Sequence, residues 1–202
     1  MHTISNLPPS SNTGAQNTSR TGLRALVDWV GATLKNVSLE ALIEGILDLN
    51  KDDFAELDRG GNGYRKSLRL GNITIYYDGN EGMGIHLKMS GQGCREYEGY
   101  GKRKWPHLLA MILDLDSNIT RLDLALDDFT GYFKIPQIEK KVKSGEVQSK
   151  FREATNYEKI RLSDGYRKGQ TIYLGSSSSL LKVRFYDKYK EALKDGNESE
   201  LE

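Results

Sequence analysis

The sequence predicts an α+β fold, a largely antiparallel β-sheet with helices packed on one side. Runs rich in β-branched and aromatic residues are joined by short turn signals, which is typical of hairpins. Segments with apolar residues at a period of about 3.6 residues lie between some of these runs and indicate helices. The connections in the hairpin region are too short for the crossovers that parallel strands need.

The ordered part of the chain is predicted to begin near Leu23. Residues 1–21 contain no acidic residue and include a Pro8-Pro9-Ser10 run, a composition typical of a flexible leader. Residues 23–30 alternate as a strand does. Ser38 then has the position of an N-cap for a helix that ends near Asn50 and carries apolar residues at helical spacing: Leu39, Leu42, Ile43, Ile46 and Leu47.

An antiparallel hairpin region follows this helix. Residues 64–70 and 73–77 predict two strands joined by the two-residue turn Gly71-Asn72. A second turn at 78–82 leads into a strand at 84–89. The glycine clusters match no phosphate-binding motif and are interpreted as turns: 60–63, 82–84 and 91–93.

The second half of the chain alternates short helices and strands. Pro106 and Pro136 each suit the first turn of a helix, and Gly145 suits the end of the second one. The predicted elements are a helix at 105–113, a strand at 119–126, a helix around 135–145, strands at 150–160, 170–174 and 182–188, and a last polar helix from Lys188.

The composition limits the kinds of site that the chain can hold. Lys and Arg number 29 and Asp and Glu 28, and the net charge of +1 does not by itself indicate nucleic-acid binding. With one cysteine and three scattered histidines, any metal must be held largely by oxygen. No apolar stretch approaches the roughly 20 residues of a membrane span and no signal sequence opens the chain, so we expect a cytoplasmic protein without membrane contact.

Acidic residues recur along the predicted strand at 119–126. The alternation of a strand places Arg121, Asp123, Ala125 and Asp127 on one face and the leucines at 122, 124 and 126 on the other, which we expect to be the core face. Aspartate is disfavoured in strands, so this pattern indicates a site; the alternative is a solvated face on which Arg121 neutralises Asp123. Four residues of strand span roughly 13 Å, so Asp123 and Asp127 cannot share one metal ion unless a bulge bends the strand.

A tyrosine between two cations marks the last predicted strand. Arg184, Tyr186 and Lys188 share a face, and positive charge beside a phenol favours the nucleophilic phenolate. The alternative is an interfacial tyrosine with solvated basic neighbours. A turn after the strand could bring Glu191 towards the acidic strand, where carboxylates would offer the oxygen ligands that Mg²⁺ or Mn²⁺ prefers.

Four other features permit weaker interpretations. The hydroxyl-rich loop at 175–179 suits either a phosphate-binding loop or a polar linker. The stretch 99–105 mixes cations with aromatic residues, as single-strand-binding surfaces do, although solvated charge before a helix is commoner. We interpret Cys94 as a packing residue and His86 as structural.

Taken together and in this order, the segments resemble the Rep_trans family, which comprises rolling-circle replication initiators of plasmids and the related relaxases of integrative and conjugative elements. The matching segments are TRLDLALD at 120–127, YLGS at 173–176 and RFYDK at 184–188, with Glu191 beyond them. GIHLKMSGQG at 84–93 and VDW at 27–29 are also similar to the amino-terminal region of such proteins. The resemblance covers roughly residues 22–195.

The resemblance implies DNA nicking and strand transfer at a replication or transfer origin. Tyr186 would attack a DNA phosphodiester, leaving a 5′-phosphotyrosyl protein and a free 3′-OH, while Arg184 and Lys188 bind or polarise the phosphate. Asp123 and Glu191 match family acids associated with Mg²⁺ or Mn²⁺, and Asp127 is a third candidate ligand. The implied partners are origin DNA as a hairpin or single strand, a second subunit in a homodimer, and a host helicase.

The resemblance also divides the chain by function. Residues 1–21 are the leader, 22–100 an N-terminal α+β region, and 101–202 the catalytic nicking region, which we expect to be truncated before the C-terminal part. Ser177 stands where many family members carry arginine, so one phosphate contact is expected to be absent or supplied elsewhere. The alternatives are an origin-binding module without cleavage activity and a metal-dependent nuclease that uses water.

Overall fold

A computed structural model describes residues 22–187, apart from the side chain of Lys168. Contacts divide these residues into a compact unit of residues 23–127 and a second unit of residues 128–187 together with Gly22. The predicted α+β class with a largely antiparallel sheet is confirmed. The division by function near residue 100 stays a prediction.

A six-stranded sheet forms the first unit. Its strand order is β2-β3-β4-β5-β1-β6, and the pairs β1–β5, β2–β3, β3–β4 and β4–β5 are antiparallel. The strands are β1 (Leu23–Leu34), β2 (Ala55–Leu57), β3 (Lys66–Leu70), β4 (Ile73–Tyr77), β5 (Ile85–Met89) and β6 (Ser117–Asp128). The long β6 lies at one edge of this sheet, beside β1.

The predicted hairpin between β3 and β4 is confirmed. Leu70 pairs with Ile73, so the loop is the two residues Gly71 and Asn72. Gly71 has a φ of 55°, which suits the first loop position of a type II′ turn and favours glycine. The turn sets the register that places Leu68 of β3 opposite Ile75 of β4 in the core.

The turn predicted at 91–93 is wrong, because these residues begin the helix α1 (Gly91–Gly99). Ser90 caps it by accepting from the Gly93 N–H at 3.3 Å. Two glycines in the first turn hide the helical pattern, yet Gly93 serves close packing: a Cβ there would lie 2.5 Å from the carbonyl oxygen of Asn72. Glu96 accepts from the backbone and side-chain N–H groups of Asn72, both at 2.6 Å, and so fixes α1 against the hairpin.

The helix predicted after Ser38 is present, but it is a π-helix over Ala41–Ile46. The Ser38 hydroxyl accepts from the Ala41 N–H at 3.1 Å, as an N-terminal cap does. At the other end, Arg103 donates to the carbonyl oxygens of Gly45 and Ile46, each at 2.9 Å. This cation therefore has a structural role in the stretch 99–105, and a 3₁₀ turn at Lys51–Asp53 completes the connection to β2.

The hydrophobic core lies on one face of the six-stranded sheet. Helices α1 and α2 (Trp105–Leu113) cover this face, mainly over β1, β4 and β5. Alternate residues of these strands point into it and are fully buried: Val30, Ala32, Leu34, Ile73, Ile75, Leu87 and Met89. Cys94 and Tyr97 of α1 complete the core, and the Tyr97 hydroxyl donates to the carbonyl oxygen of Leu47 at 3.0 Å.

The leucines predicted to form the core face of β6 are exposed. Leu122, Leu124 and Leu126 have 38%, 72% and 52% of their surface exposed, whereas Asp123 and Asp127 are half-buried. The prediction was wrong because β6 is an edge strand and the helices of this unit pack mainly on the central strands. Alternation identifies two faces of a strand, but it does not determine which face other elements cover.

The second unit contains a three-stranded antiparallel sheet, β7 (Ala154–Ile160), β8 (Arg167–Leu174) and β9 (Val183–Tyr186). Helix α3 (Ile135–Lys143) contacts β8. Glu139 of α3 accepts from Asn156 at 2.9 Å, and Asn156 pairs with the buried Ile172, so α3 lies on the Ile172 face. The predicted leader at 1–21 and the helix predicted from Lys188 lie outside the described residues.

Candidate functional site

Tyr186 lies at the end of β9, on the sheet face opposite α3. Tyr186 pairs with Thr171 and Arg184 with Tyr173, while Phe185 pairs with Ile172 on the other face. The guanidinium carbon of Arg184 lies 3.8 Å from the centroid of the Tyr186 ring. The predicted shared face of Arg184 and Tyr186 is therefore present, with the cation directly over the phenol ring.

Aromatic and hydroxyl side chains extend this face across the small sheet. Tyr157 lies opposite Thr171 and is 64% exposed. It meets the Tyr173 ring edge to face, with centroids 5.8 Å apart. The face thus presents three tyrosines and one arginine, a surface that could stack bases and bind a phosphate.

The serine loop after β8 bonds mainly to itself. The Ser179 hydroxyl lies 3.0 Å from the Ser176 hydroxyl and accepts from the Ser176 N–H at 3.0 Å. Lys182 donates to the carbonyl oxygen of Ser177 at 2.6 Å. These bonds fit the polar-linker interpretation, because hydroxyls that satisfy one another form a closed turn.

Asp123 of β6 is bound by Arg121. The Arg121 Nε donates at 3.0 Å and a terminal nitrogen at 2.5 Å to the two carboxylate oxygens, a bidentate pair. The same guanidinium lies 4.0 Å from the centroid of the Trp29 ring of β1. Charge from Asp28 also acts on it, and together Asp123 and Asp28 raise the pKa of Arg121. Arg121 therefore links the acidic strand to an aromatic residue of the neighbouring strand.

The two other acidic residues of β6, Asp127 and Asp128, lie at its C-terminal end. Asp127 is half-buried. Asp128 accepts from the N–H groups of Thr130, Gly131 and Phe133, which lower its pKa and make it the cap of the turn after β6. Within residues 22–187 no group of three acidic, histidine or cysteine side chains is placed to hold a metal ion. Lys188 and Glu191, the remaining predicted site residues, lie outside the described residues.

The interpretation of His86 as structural fits its contacts, since its Nδ1 lies 2.9 Å from the Thr33 hydroxyl. Burial and the charge of Lys88 lower the pKa of His86, so the ring is neutral near pH 7. Burial raises the pKa of the Cys94 thiol to about 12, as expected for a packing residue.

No helix of the described residues has the length and apolar character to cross a membrane.

Sequence reasoning missed the face of the six-stranded sheet opposite the core. Trp29, Tyr64, His86, Lys88 and Arg121 converge there although they lie far apart in the sequence. The only sequence signal was the polar or aromatic residue at every second position of β4 and β5.

Comparison with known proteins places the chain among replication initiation proteins. A family described as "Replication initiation factor" matches residues 117–201, and one described as "Rolling Circle replication initiation protein N-terminal domain" matches residues 24–112. The chain belongs to the family of rolling-circle replication initiators and related relaxases. The resemblance drawn from the sequence motifs is therefore confirmed.

Two relatives show how much of such a protein the chain spans. A solved structure, that of the rolling circle replication initiator protein from Geobacillus stearothermophilus, is 39% identical with a TM-score of 0.76, covering 85% of this chain and 69% of that one. A protein described as "Putative DNA relaxase NicK" from Bacillus subtilis (strain 168) is 34% identical over 198 residues, covering 93% of this chain. The chain spans 56% of the length of that curated relative.

Proposed function

We propose that the chain nicks one DNA strand by tyrosine attack at a replication or transfer origin and can later reseal it. The observation that carries the proposal is the Arg184 guanidinium 3.8 Å from the Tyr186 ring, on the sheet face opposite α3. A nucleophile beside a fixed cation is the arrangement that phosphoryl transfer needs, because negative charge develops on the phosphate oxygens. The names of the two relatives support the same activity.

The reaction exchanges one phosphodiester for another. The Tyr186 oxygen forms a bond to phosphorus as the bond from phosphorus to O3′ breaks. The phenol proton is lost to solvent or a base, and the departing O3′ takes up a proton. The products are a 5′-phosphotyrosyl protein and a free 3′-OH, and attack by a 3′-OH on the phosphotyrosine reverses the step. Arg184, with Lys188 beyond the described residues, binds the phosphate oxygens.

A divalent metal ion, Mg²⁺ or Mn²⁺, is part of the proposal. Its candidate ligands are the carboxylates of Asp123 and Glu191, with Asp127 as a further candidate, an all-oxygen set that suits these ions. Asp123 fits this role although Arg121 binds it, because a carboxylate has about four lone-pair sites and the bidentate pair uses two. Such an ion would stabilise charge on the phosphate and the leaving oxygen.

The proposed substrate is origin DNA in a single-stranded or hairpin form, because the nucleophile must reach the phosphate in line. A homodimer and a host helicase are the proposed protein partners, both by analogy with the family.

A covalent adduct on Tyr186 tests the function. The protein is incubated with labelled single-stranded oligonucleotides that tile the origin of the source element, with Mn²⁺, and run on a denaturing gel. We expect a protein-linked DNA band that disappears with Tyr186→Phe and with chelator. Tyr173→Phe is the matched control, since Tyr173 lies on the same face and pairs with Arg184, and it should keep the band.

Two outcomes would contradict the proposal. Persistence of nicking in Tyr186→Phe, with free 5′-phosphate ends, would indicate a hydrolytic nuclease. A protein that shifts the oligonucleotide but forms no band would be an origin-binding module, the alternative that Ser177 favours.

A further inference from the structure

The face of the six-stranded sheet opposite the core carries an open groove of about 610 Å³. Alternate residues of β1 and β5 form its floor, among them Trp29, Thr33, His86 and Lys88. Their sequence neighbours Val30, Leu34 and Leu87 point into the core on the other side. All ten residues that line the groove belong to the first unit, whereas Tyr186 belongs to the second.

Aromatic rings lie along one part of this groove: His86 and the largely buried Tyr64 line it, and Tyr76 packs beside them. The rings of Tyr64, Tyr76 and His86 have centroids 6.1–6.4 Å apart in all three pairs, with planes within 28° of each other. The three near-equal distances exclude a single column of rings, so the rings form one compact cluster, the aromatic patch. Unpaired bases stack on such aromatic surfaces.

Positive charge lines the other part. Arg121 lies over the Trp29 ring at 4.0 Å and the Lys88 Nζ at 5.5 Å from the same ring centroid. The ten residues that line the groove include no acid, although Asp123 pairs with Arg121 from outside this set. The charge thus comes from Lys88 and Arg121, because His86 is neutral near pH 7.

We propose that this groove binds unpaired nucleotides of the DNA strand, with bases stacked on Trp29 and on the half-buried rings of His86 and Tyr76 and phosphates bound by Lys88 and Arg121. The proposal rests on the proposed function, since it names a second contact with the same substrate. The volume lies within the range of about 300–1,000 Å³ typical of pockets for drug-sized ligands, the size of one nucleotide. Arg121 pairs with Asp123, so the bound strand would lie next to a candidate metal ligand.

The test measures binding of a fluorescein-labelled dT oligonucleotide of about 12 nucleotides, within the site sizes of single-strand-binding proteins. We expect Lys88→Glu and Trp29→Ala each to weaken binding about tenfold, which corresponds to about 1.4 kcal/mol. The matched control is Lys35→Glu, an exposed lysine of the same unit that does not line the groove. Lys88 is only half-buried on the open face, so its variant keeps the test valid if Trp29→Ala fails to fold.

A second readout follows Trp29 directly. In a Trp105→Phe background Trp29 is the only tryptophan, and dT should quench its fluorescence while a blunt duplex of the same length should not. Unchanged dT affinity in both groove variants, or equal quenching by the duplex, would overturn the proposal.

The two proposals fail separately. Tyr186→Phe should keep the Trp29 quenching although it loses the covalent adduct. Loss of the adduct in Tyr186→Phe with normal binding by Lys88→Glu would leave the nicking function standing and refute the groove. Quenching of Trp29 by dT in a wild-type protein that forms no adduct would support the groove and refute the nicking function.

Discussion

Three arginines of the described residues place a guanidinium over an aromatic ring, namely Arg121, Arg161 and Arg184, and the rings that Arg121 and Arg184 cover separate the roles of these two. Arg121 is bound at both ends of its fork by Asp123 while it covers Trp29. Arg184 covers Tyr186 and is exposed, on the sheet face opposite α3. Arg184 is therefore the better candidate for contact with a reacting phosphate, because the ring that it covers is that of the proposed nucleophile.

Arg184→Ala should slow formation of the covalent adduct by about a hundredfold, the effect of removing one donor from a developing oxyanion. Arg184→Lys should lose less, because the charge remains but the planar fork is lost. Single-turnover adduct formation measures this. Lys182→Ala is the matched control, since Lys182 bonds to the serine loop, and it should react at the wild-type rate. Equal rates for Arg184→Ala and wild type would remove Arg184 from the site.

Substitution of Asp123 and substitution of Asp127 should have different effects on metal binding. Both lie on β6 and four residues of strand span roughly 13 Å, so a single ion can use one of them. We expect Asp123→Asn to abolish Mn²⁺ binding in calorimetric titration. Asp127→Asn should leave the affinity for Mn²⁺ within about twofold, because a straight strand cannot bring both carboxylates to one ion. The opposite result would assign the ligand to Asp127.

The sequence predicts single residues well where strand alternation alone decides their position. Arg184 and Tyr186 share a face because they are two residues apart in a strand. Alternation could not reveal the pairing of Trp29 with Arg121, because cross-strand neighbours so far apart depend on the order of strands in the sheet. For the same reason the sequence could not show that the leucines of β6 are exposed.

At the scale of the element, α1 shows how tertiary contacts override a weak helical signal. Its first turn contains Gly91 and Gly93, which disfavour a helix, and the capping Ser90 and the bonds from Asn72 to Glu96 compensate. The elements with clear periodicity, such as α2 and the β3–β4 hairpin, agree with prediction. Elements such as α1, whose formation depends on contacts with the rest of the unit, differ from the prediction.

Gly93→Ala should lower the free energy of unfolding by about 1–3 kcal/mol, the usual cost of overpacking. The new Cβ would lie 2.5 Å from the Asn72 carbonyl oxygen, so the helix must move off the hairpin. Gly99→Ala is the matched control in the same helix, because a Cβ there meets nothing within 4 Å. It should leave stability unchanged or raise it by up to about 1 kcal/mol. Urea denaturation measures both, and equal stabilities would show that α1 does not dock as closely as described.

At the scale of the whole molecule, the two units differ in how much core they contain. The buried core cluster lies entirely between Val27 and Ile112, with Ile119 packed against it. In the described part of the second unit, Ile172 is the one hydrophobic side chain that is fully buried. Since burial of apolar surface is the main stabilising contribution, the first unit should be stable without the second.

A fragment of residues 22–128 should therefore unfold cooperatively in urea, at a midpoint close to that of the full chain. It contains the complete six-stranded sheet, both core helices and the groove, whereas Tyr186 lies in the second unit. In the Trp105→Phe background, we expect the fragment to bind labelled dT with quenching of Trp29 fluorescence and to form no covalent adduct. A fragment without cooperative unfolding would show that the core needs the second unit. A folded fragment that does not bind dT would place the contacts with the strand in the second unit, beside Tyr186, since the groove residues are all present in it.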